Sequence, residues 1–333
     1  MPPNLDVKLY PYESSQRRSS ERETPSTKQS RQSNIRKPLA GHHENDRRYV
    51  NGEYWAPNDE RQNNQLDIAH HLYRLTLNGR LYIAPIRESP RMVLDIGTGT
   101  GIWAMDFADQ HPSAQVIGFD LSPVFQERVV PNVRFEVKDA CDPDWGYEKN
   151  SFDFIHARGM YGCGADWLAF YQRVLTYLAP GGWYQQIEMS VTPTSDDRSV
   201  TAGSIFDQWG KNFLEAGDRC GKDFRIHKQV KGYLEGAGFE DVVELIYKWP
   251  IGTWSEYPRI KEIGRWNLVQ WQEGIEGWSL ALLTRALNWS YPDVQAYLEK
   301  MRGGLKDPTI HAYHIINVVY GRKSTVRDKG LQG

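Results

Sequence analysis

Three cysteines in 333 residues (Cys141, Cys163 and Cys220) are too few and too scattered for a disulfide framework or a zinc-binding pattern. No run of about 18 apolar residues occurs, and the N-terminus lacks the apolar core of a secretory leader, so neither a membrane span nor secretion is expected. Excess charge is missing too. A formal net charge of -2 and a pI near 6.5 differ from the strong basic balance of a direct nucleic-acid binder. Reduced thiols fit a nucleus or a cytosol. No internal repeat or heptad run is visible. No metal site is expected either: His70 and His71 are adjacent on an expected helix and do not face each other.

Aromatic residues are abundant, with 12 tryptophans and 18 tyrosines, and they read as core and interface mass. Residues 1–47 are rich in Ser, Arg, Gln, Glu and Pro and poor in large apolar groups. Such a segment buries too little surface to offset its ordering entropy, so a disordered, Ser/Arg-rich tail is expected there. One folded domain is expected over 48–323, with a short C-terminal tail over 324–333. Apolar spacing at Leu66, Ala69, Leu72, Tyr73 and Leu77 predicts a helix over 64–78.

From Met92 the pattern alternates strand and helix, the signature of an α/β fold with a parallel sheet. Strands are predicted at 92–96, 115–119, 133–137, 152–156, 183–189, 241–248 and 313–320. A helix near 165–178 should stop at Pro180-Gly181-Gly182. Segments 190–236 and 250–310 read as helical and as a cap over the strand ends. Ser290-Tyr291-Pro292-Asp293 opens one of those helices in an S-x-x-D capping pattern.

The most informative run is Val93-Leu94-Asp95-Ile96-Gly97-Thr98-Gly99-Thr100-Gly101-Ile102. A buried strand leads into a glycine turn and then a helix N-terminus, where a ligand can lie against bare backbone. The dinucleotide fingerprint G-x-G-x-x-G would need a glycine where Ile102 stands. The observed D-x-G-x-G-x-G is similar to the first motif of S-adenosylmethionine (SAM)-dependent methyltransferases. On that reading Gly97, Thr98, Gly99 and Gly101 face the amino-acid portion of SAM, and Asp95 reaches its ammonium through water. Asp120, with Leu121 beside it, ends the next strand, where a carboxylate can accept both ribose hydroxyls. Asp139-Ala140 follows the third strand and is placed to meet the adenine amino group. Arg158 to Gly164 should border the meeting point of sulfonium and acceptor. Methyl transfer needs alignment more than a triad. If the acceptor needs a base, the candidates are His156, Tyr161 and Glu188.

The resemblance goes further than the turn. Tyr54-Trp55-Ala56-Pro57-Asn58-Asp59-Glu60, Leu66-Asp67-Ile68-Ala69-His70-His71, Gly101-Ile102-Trp103-Ala104, Gly118-Phe119-Asp120-Leu121-Ser122-Pro123, Pro180-Gly181-Gly182-Trp183, Ser195-Asp196-Asp197, His311-Ala312-Tyr313 and Tyr320-Gly321-Arg322-Lys323 together resemble the LaeA-like methyltransferases of filamentous fungi, over about residues 49–323. That resemblance implies a class I (Rossmann-like) fold of seven strands with the last antiparallel, and SAM as cofactor. It also implies one of two roles. Some family members regulate secondary metabolism and development from the nucleus with velvet-domain partners. Others methylate a small molecule or peptide in a biosynthetic pathway. A third reading is a SAM-binding partner protein with little turnover. The methyl acceptor, protein or small molecule, has no motif in the cap.

Overall fold

The computed structural model describes residues 41–50, 54–122, 124–125 and 130–325. Most of the expected N-terminal tail and the end of the C-terminal one lie outside these residues. The expected tail boundary at 47 is corrected, because β1 (His42–Glu44) and β2 (Arg47–Tyr49) form an antiparallel hairpin. Asn45 and Asp46 both take positive φ at its turn, as a type I′ connection requires. Arg47 then anchors the hairpin: its Nε and Nη2 donate to the two carboxylate oxygens of Asp59 at 2.6 and 2.9 Å.

Asp59 also caps α1 (Glu60–Thr76) by accepting from the Gln62 amide, so the helix starts four residues before the apolar stripe suggested. His70 is buried on this helix and His71 is exposed, as adjacent positions should be.

The main sheet follows as β3 (Met92–Ile96), α2 (Ile102–Gln110), β4 (Gln115–Asp120), β5 (Val133–Val137), β6 (Phe152–Arg158), α3 (Trp167–Tyr177) and β7 (Leu178–Met189). Next come α4 (Ile205–Cys220), α5 (Val230–Ala237), β8 (Glu240–Pro250), α6 (Pro258–Ala281), α7 (Tyr291–Leu305) and β9 (Tyr313–Arg322). The seven strands lie in the order β5-β4-β3-β6-β7-β9-β8. Six of the strands share one direction and β9 alone runs against it. This is the class I methyltransferase sheet expected from the sequence. The chain winds outward from β3 to β5, then returns to lay β6 on the other side of β3. Ligands of open α/β sheets bind at such a reversal, beyond the carboxyl ends of the strands.

Both faces of the sheet are covered. Val93, Trp103, Phe107, Val116 and Phe154 pack on one, and Leu94, Ile117, Ile155, Tyr171 and Tyr184 on the other. The cap has its own core, in which Trp209, Trp271 and Trp278 meet at ring separations of 4.9 and 5.7 Å. Val191 and Ile251 join that core just past the ends of β7 and β8, and Ala312 joins it just before antiparallel β9. Helices α4, α6 and α7 therefore sit over the carboxyl edge, as the sequence indicated, whereas α5, expected in the same cap, packs through Val230 and Leu234 on the sheet face that carries Tyr171 and Tyr184. Ser290 caps α7 through the Asp293 amide.

Candidate functional site

Strand register assembles the site. Ile96 lies opposite Phe119 on β4 and opposite Ala157 on β6, so Gly97 leaves β3 with Asp120 on one side and Arg158 on the other. Gly97, Gly99 and Gly101 all take positive φ, at 65°, 58° and 81°. At Gly101 a Cβ would stand 2.3 Å from the Phe135 ring, and at Gly97 it would stand 2.6 Å from the Met160 sulfur. Only glycine fits this turn.

A cavity of about 70 Å³ opens at its foot. Of the residues expected to hold a cofactor, Gly97, Asp120, Leu121, Asp139 and Ala140 line it. Asp95, Thr98, Gly99 and Gly101 shape the turn and do not line the cavity. Tyr54, Phe119 and Lys138 also line it, along with Arg158, Gly159, Met160 and Cys163 from the segment expected beside the acceptor. The first three carry no spacing signal in the sequence. Tyr54 arrives from before α1, and the others gain their place from the strand ends.

Asp120 accepts from the amides of Gly99 and Ser122, each at 2.9 Å and each on a separate oxygen. Burial raises its carboxyl above the usual range, while those amides pull the other way. One lone pair on each oxygen remains for a hydroxyl of a ligand. Asp139 accepts from the Cys141 amide through one oxygen.

Asp95 is committed elsewhere. Its two oxygens take the Thr98 hydroxyl at 2.6 Å and the His156 Nδ1 at 2.8 Å. It fixes the turn from below and does not line the cavity.

The three candidate bases have different surroundings. His156 is fully buried, stacked on Trp103 with ring centroids 3.9 Å apart. Burial lowers its pKa, and its Nε2 is sealed in without a partner among the described residues. It orients Asp95 and does not reach the cavity, which corrects its expected role as a base. Glu188 is also fully buried, and it accepts from the Met160 and Tyr161 amides and from the Gln186 side chain. Burial pushes its carboxyl up to about 7. It holds the 158–161 segment in place, again a correction of the expected catalytic role. Tyr161 packs against Trp55 and Phe224 where the cap meets the sheet, with its phenol pKa raised by burial.

The donor set fits SAM. A bare-backbone turn faces the cavity, a preoriented carboxylate stands at the end of β4, and apolar Phe119, Leu121 and Ala140 offer walls for a purine. The cavity is smaller than a nucleoside, and the Met160 sulfur stands against Gly97 on its wall. Among the described residues no cluster of His, Cys, Asp or Glu could hold a metal ion, and no helix is long and apolar enough to cross a membrane.

A family profile described as "Methyltransferase domain" matches residues 68–245. The chain is 34% identical over 277 residues to the "Secondary metabolism regulator LAE1" of Cochliobolus heterostrophus, covering 82% of this chain and 90% of that one. It is also 34% identical over 276 residues to the "Methyltransferase pytC" of Aspergillus terreus, covering 83% and 85%. Against the "Secondary metabolism regulator laeA" of Monascus pilosus the identity is 31% over 290 residues, covering 85% and 78%.

Proposed function

This chain belongs to the methyltransferase-domain family and to its LaeA-like branch, and on that premise we propose that it is a SAM-dependent methyltransferase whose role is regulation of fungal secondary metabolism. The observation carrying the regulatory part is the match to a regulator over nine-tenths of that protein's length. SAM, when bound, supplies a methyl group already activated by its positive sulfur. The protein's task is then to hold and align. The backbone at Gly97 lets the amino-acid portion approach, Asp120 accepts from the ribose hydroxyls, and Asp139 accepts from the adenine amino group. Holding donor and acceptor in line can lower the barrier by roughly 7–11 kcal/mol, so no strong base is needed to explain turnover. Where the acceptor must lose a proton, none of the three expected bases serves, since His156, Glu188 and Tyr161 do not line the cavity and burial keeps the Tyr161 phenol protonated.

A second reading, methylation of a metabolite or peptide within a biosynthetic pathway, has its own support in the equal identity to pytC. In the regulatory reading the acceptor is a protein, a velvet-domain protein is a partner, and the site of action is the nucleus or cytoplasm. Isotope-labelled SAM incubated with histones, a velvet-domain protein and candidate metabolites separates the readings. Label on protein supports regulation, and label on a metabolite supports biosynthesis. Tight SAM binding with label on neither would mark a SAM-dependent partner protein. Copurification with the velvet-domain protein tests the partnership.

A further inference from the structure

The main sheet ends in an open strand. β8 pairs with β9 on one side, and no strand lies on its other side among the described residues. Such an edge presents backbone N–H and C=O groups to any chain able to pair with it, and folded proteins block it with proline, bulges, charge or a covering element. Both ends of β8 carry such blocks. At its start the ladder is irregular between Glu240 and Val243, Asp241 takes a positive φ of 52°, and Glu240 and Asp241 both hold Arg322. At its finish stands Pro250, and Asn267 of α6 donates to the carbonyls of Trp249 and Pro250.

The stretch between, 243–248, has no proline, and its pairing with β9 runs without a shift. Val243 and Ile246 are 36% and 41% exposed, two of the five large apolar side chains that stand exposed among the described residues. Lys248 is the one basic residue of the stretch. A lysine on an edge is itself a block, because a second strand would have to cover its charge. Its spacing from Glu244 reverses that effect.

Alternation places Glu244, Ile246 and Lys248 on one face. When two copies of β8 pair antiparallel about a two-fold axis through Ile246, Ile246 meets itself, Leu245 meets Tyr247, and Glu244 of each copy meets Lys248 of the other. Directly opposed side chains have Cβ atoms about 4.5–5.5 Å apart, and opposite charges there stabilise the pair. Both groups have capacity for it. Glu244 takes the Asn317 Nδ2 through one oxygen, and Lys248 has three N–H donors to share among Asp196, Tyr313 and a further acceptor. Moving the axis to Leu245 or Tyr247 sets a charge against Ile246 in place of both ion pairs.

We propose that the partner of this edge is a second copy of the chain, joined β8 to β8 about Ile246. The two-fold reverses strand direction across the contact. The carboxyl edges, each with its cleft, therefore open at opposite ends of the joined sheet, and neither copy covers the other's site.

Sedimentation velocity on the full chain across a concentration series tests this. The wild type should associate to a dimer. Glu244→Lys sets lysine against lysine and Lys248→Glu sets glutamate against glutamate, and each should raise the dimer dissociation constant at least about tenfold. Mixing these two variants restores both ion pairs and should bring back dimers that hold one chain of each kind. Ile246→Lys, at an exposed position, should weaken the dimer as well, and it guards against a folding failure of Lys248→Glu beside Asp196. Melting temperatures identify the folded variants. A wild type that stays monomeric throughout would overturn the proposal, whether or not a strand of another protein uses the edge. So would a dimer that the folded variants leave intact, which places the contact on another face. A mixture no more dimeric than its separate components would overturn the pairing about Ile246.

Discussion

Replacing Asp120 with alanine removes the carboxylate placed to grip a ribose. In the structure each of its oxygens already accepts one backbone amide at 2.9 Å, and the residue lines the cavity. A hydrogen bond to a charged group contributes roughly 1.5–3 kcal/mol. Because the side chain is only half-buried, the low end applies. Loss of even one such bond weakens binding at least about tenfold, and loss of both weakens it more. Asp120→Asn should fall short of wild type as well, because its NH2 group would face the N–H of Gly99 or Ser122, donor against donor. The assay is calorimetry with S-adenosylhomocysteine and with its 2′-deoxyribose analogue. Wild type should discriminate between the two and Asp120→Ala should not. Melting temperatures separate binding from folding, since alanine also leaves the Gly99 and Ser122 amides without an acceptor. Unchanged affinity in a folded Asp120→Ala protein would refute the assignment.

Glu188→Gln should alter the pH dependence of stability. With a folded pKa of about 7 against an ordinary 4.5, the native protein holds a proton across that window that the unfolded chain has lost. Stability from this group therefore falls as pH rises from 4.5 to 7, by about 3 kcal/mol in total. Urea unfolding across the window should show the wild type losing ground to Glu188→Gln as pH rises; a constant difference would refute the raised pKa. Arg47→Ala breaks a nearly buried, bidentate pair with Asp59 and should cost about 3 kcal/mol in denaturant unfolding. A loss under about 0.5 kcal/mol would show that the hairpin is not docked as described.

The alternation of strand and helix was readable because each strand carries its own apolar run. The seven expected strands all appear, with ends shifted by a few residues. The largest shift is at β7, which starts at Leu178 and takes in Pro180-Gly181-Gly182, a segment that reads as a helix stop and a turn. The pairing of β6 with β7 is irregular between Phe152 and Phe154, and an irregular ladder accommodates a proline that has no N–H to donate. The hairpin over 42–49 was hidden because composition averaged over 1–47 masks eight residues docked by contacts distant in sequence, among them Arg47 with Asp59 and Glu44 with Arg285. At the site, the glycine turn and Asp120 were legible because their chemistry depends on local spacing. Arg158 and His70 meet across 88 positions, and Asp95 and His156 across 61, so no local pattern records either pair. The same is true of Glu188, whose three donors make it a brace for the 158–161 segment.

That brace bears on how the cleft admits a ligand. Nucleoside-sized ligands occupy pockets of about 300–1,000 Å³, and the cavity beside Gly97 is about 70 Å³. The Met160 backbone is held by Glu188, so its side chain is the part free to move. Its sulfur lies against the bare backbone of Gly97, on the surface that the glycine turn offers to a ligand. An unbranched thioether suits that position, since it fills the gap and yields at low rotameric cost. Met160→Ala should lower the melting temperature of the free protein, in line with the roughly 2–5 kcal/mol typical of a buried methionine truncation. The same change should leave S-adenosylhomocysteine affinity unchanged or raise it several-fold, because the ligand no longer displaces a packed side chain. A tenfold loss of affinity in calorimetry would show instead that Met160 is a contact the ligand needs, and that the cleft widens at Tyr54 or Lys138.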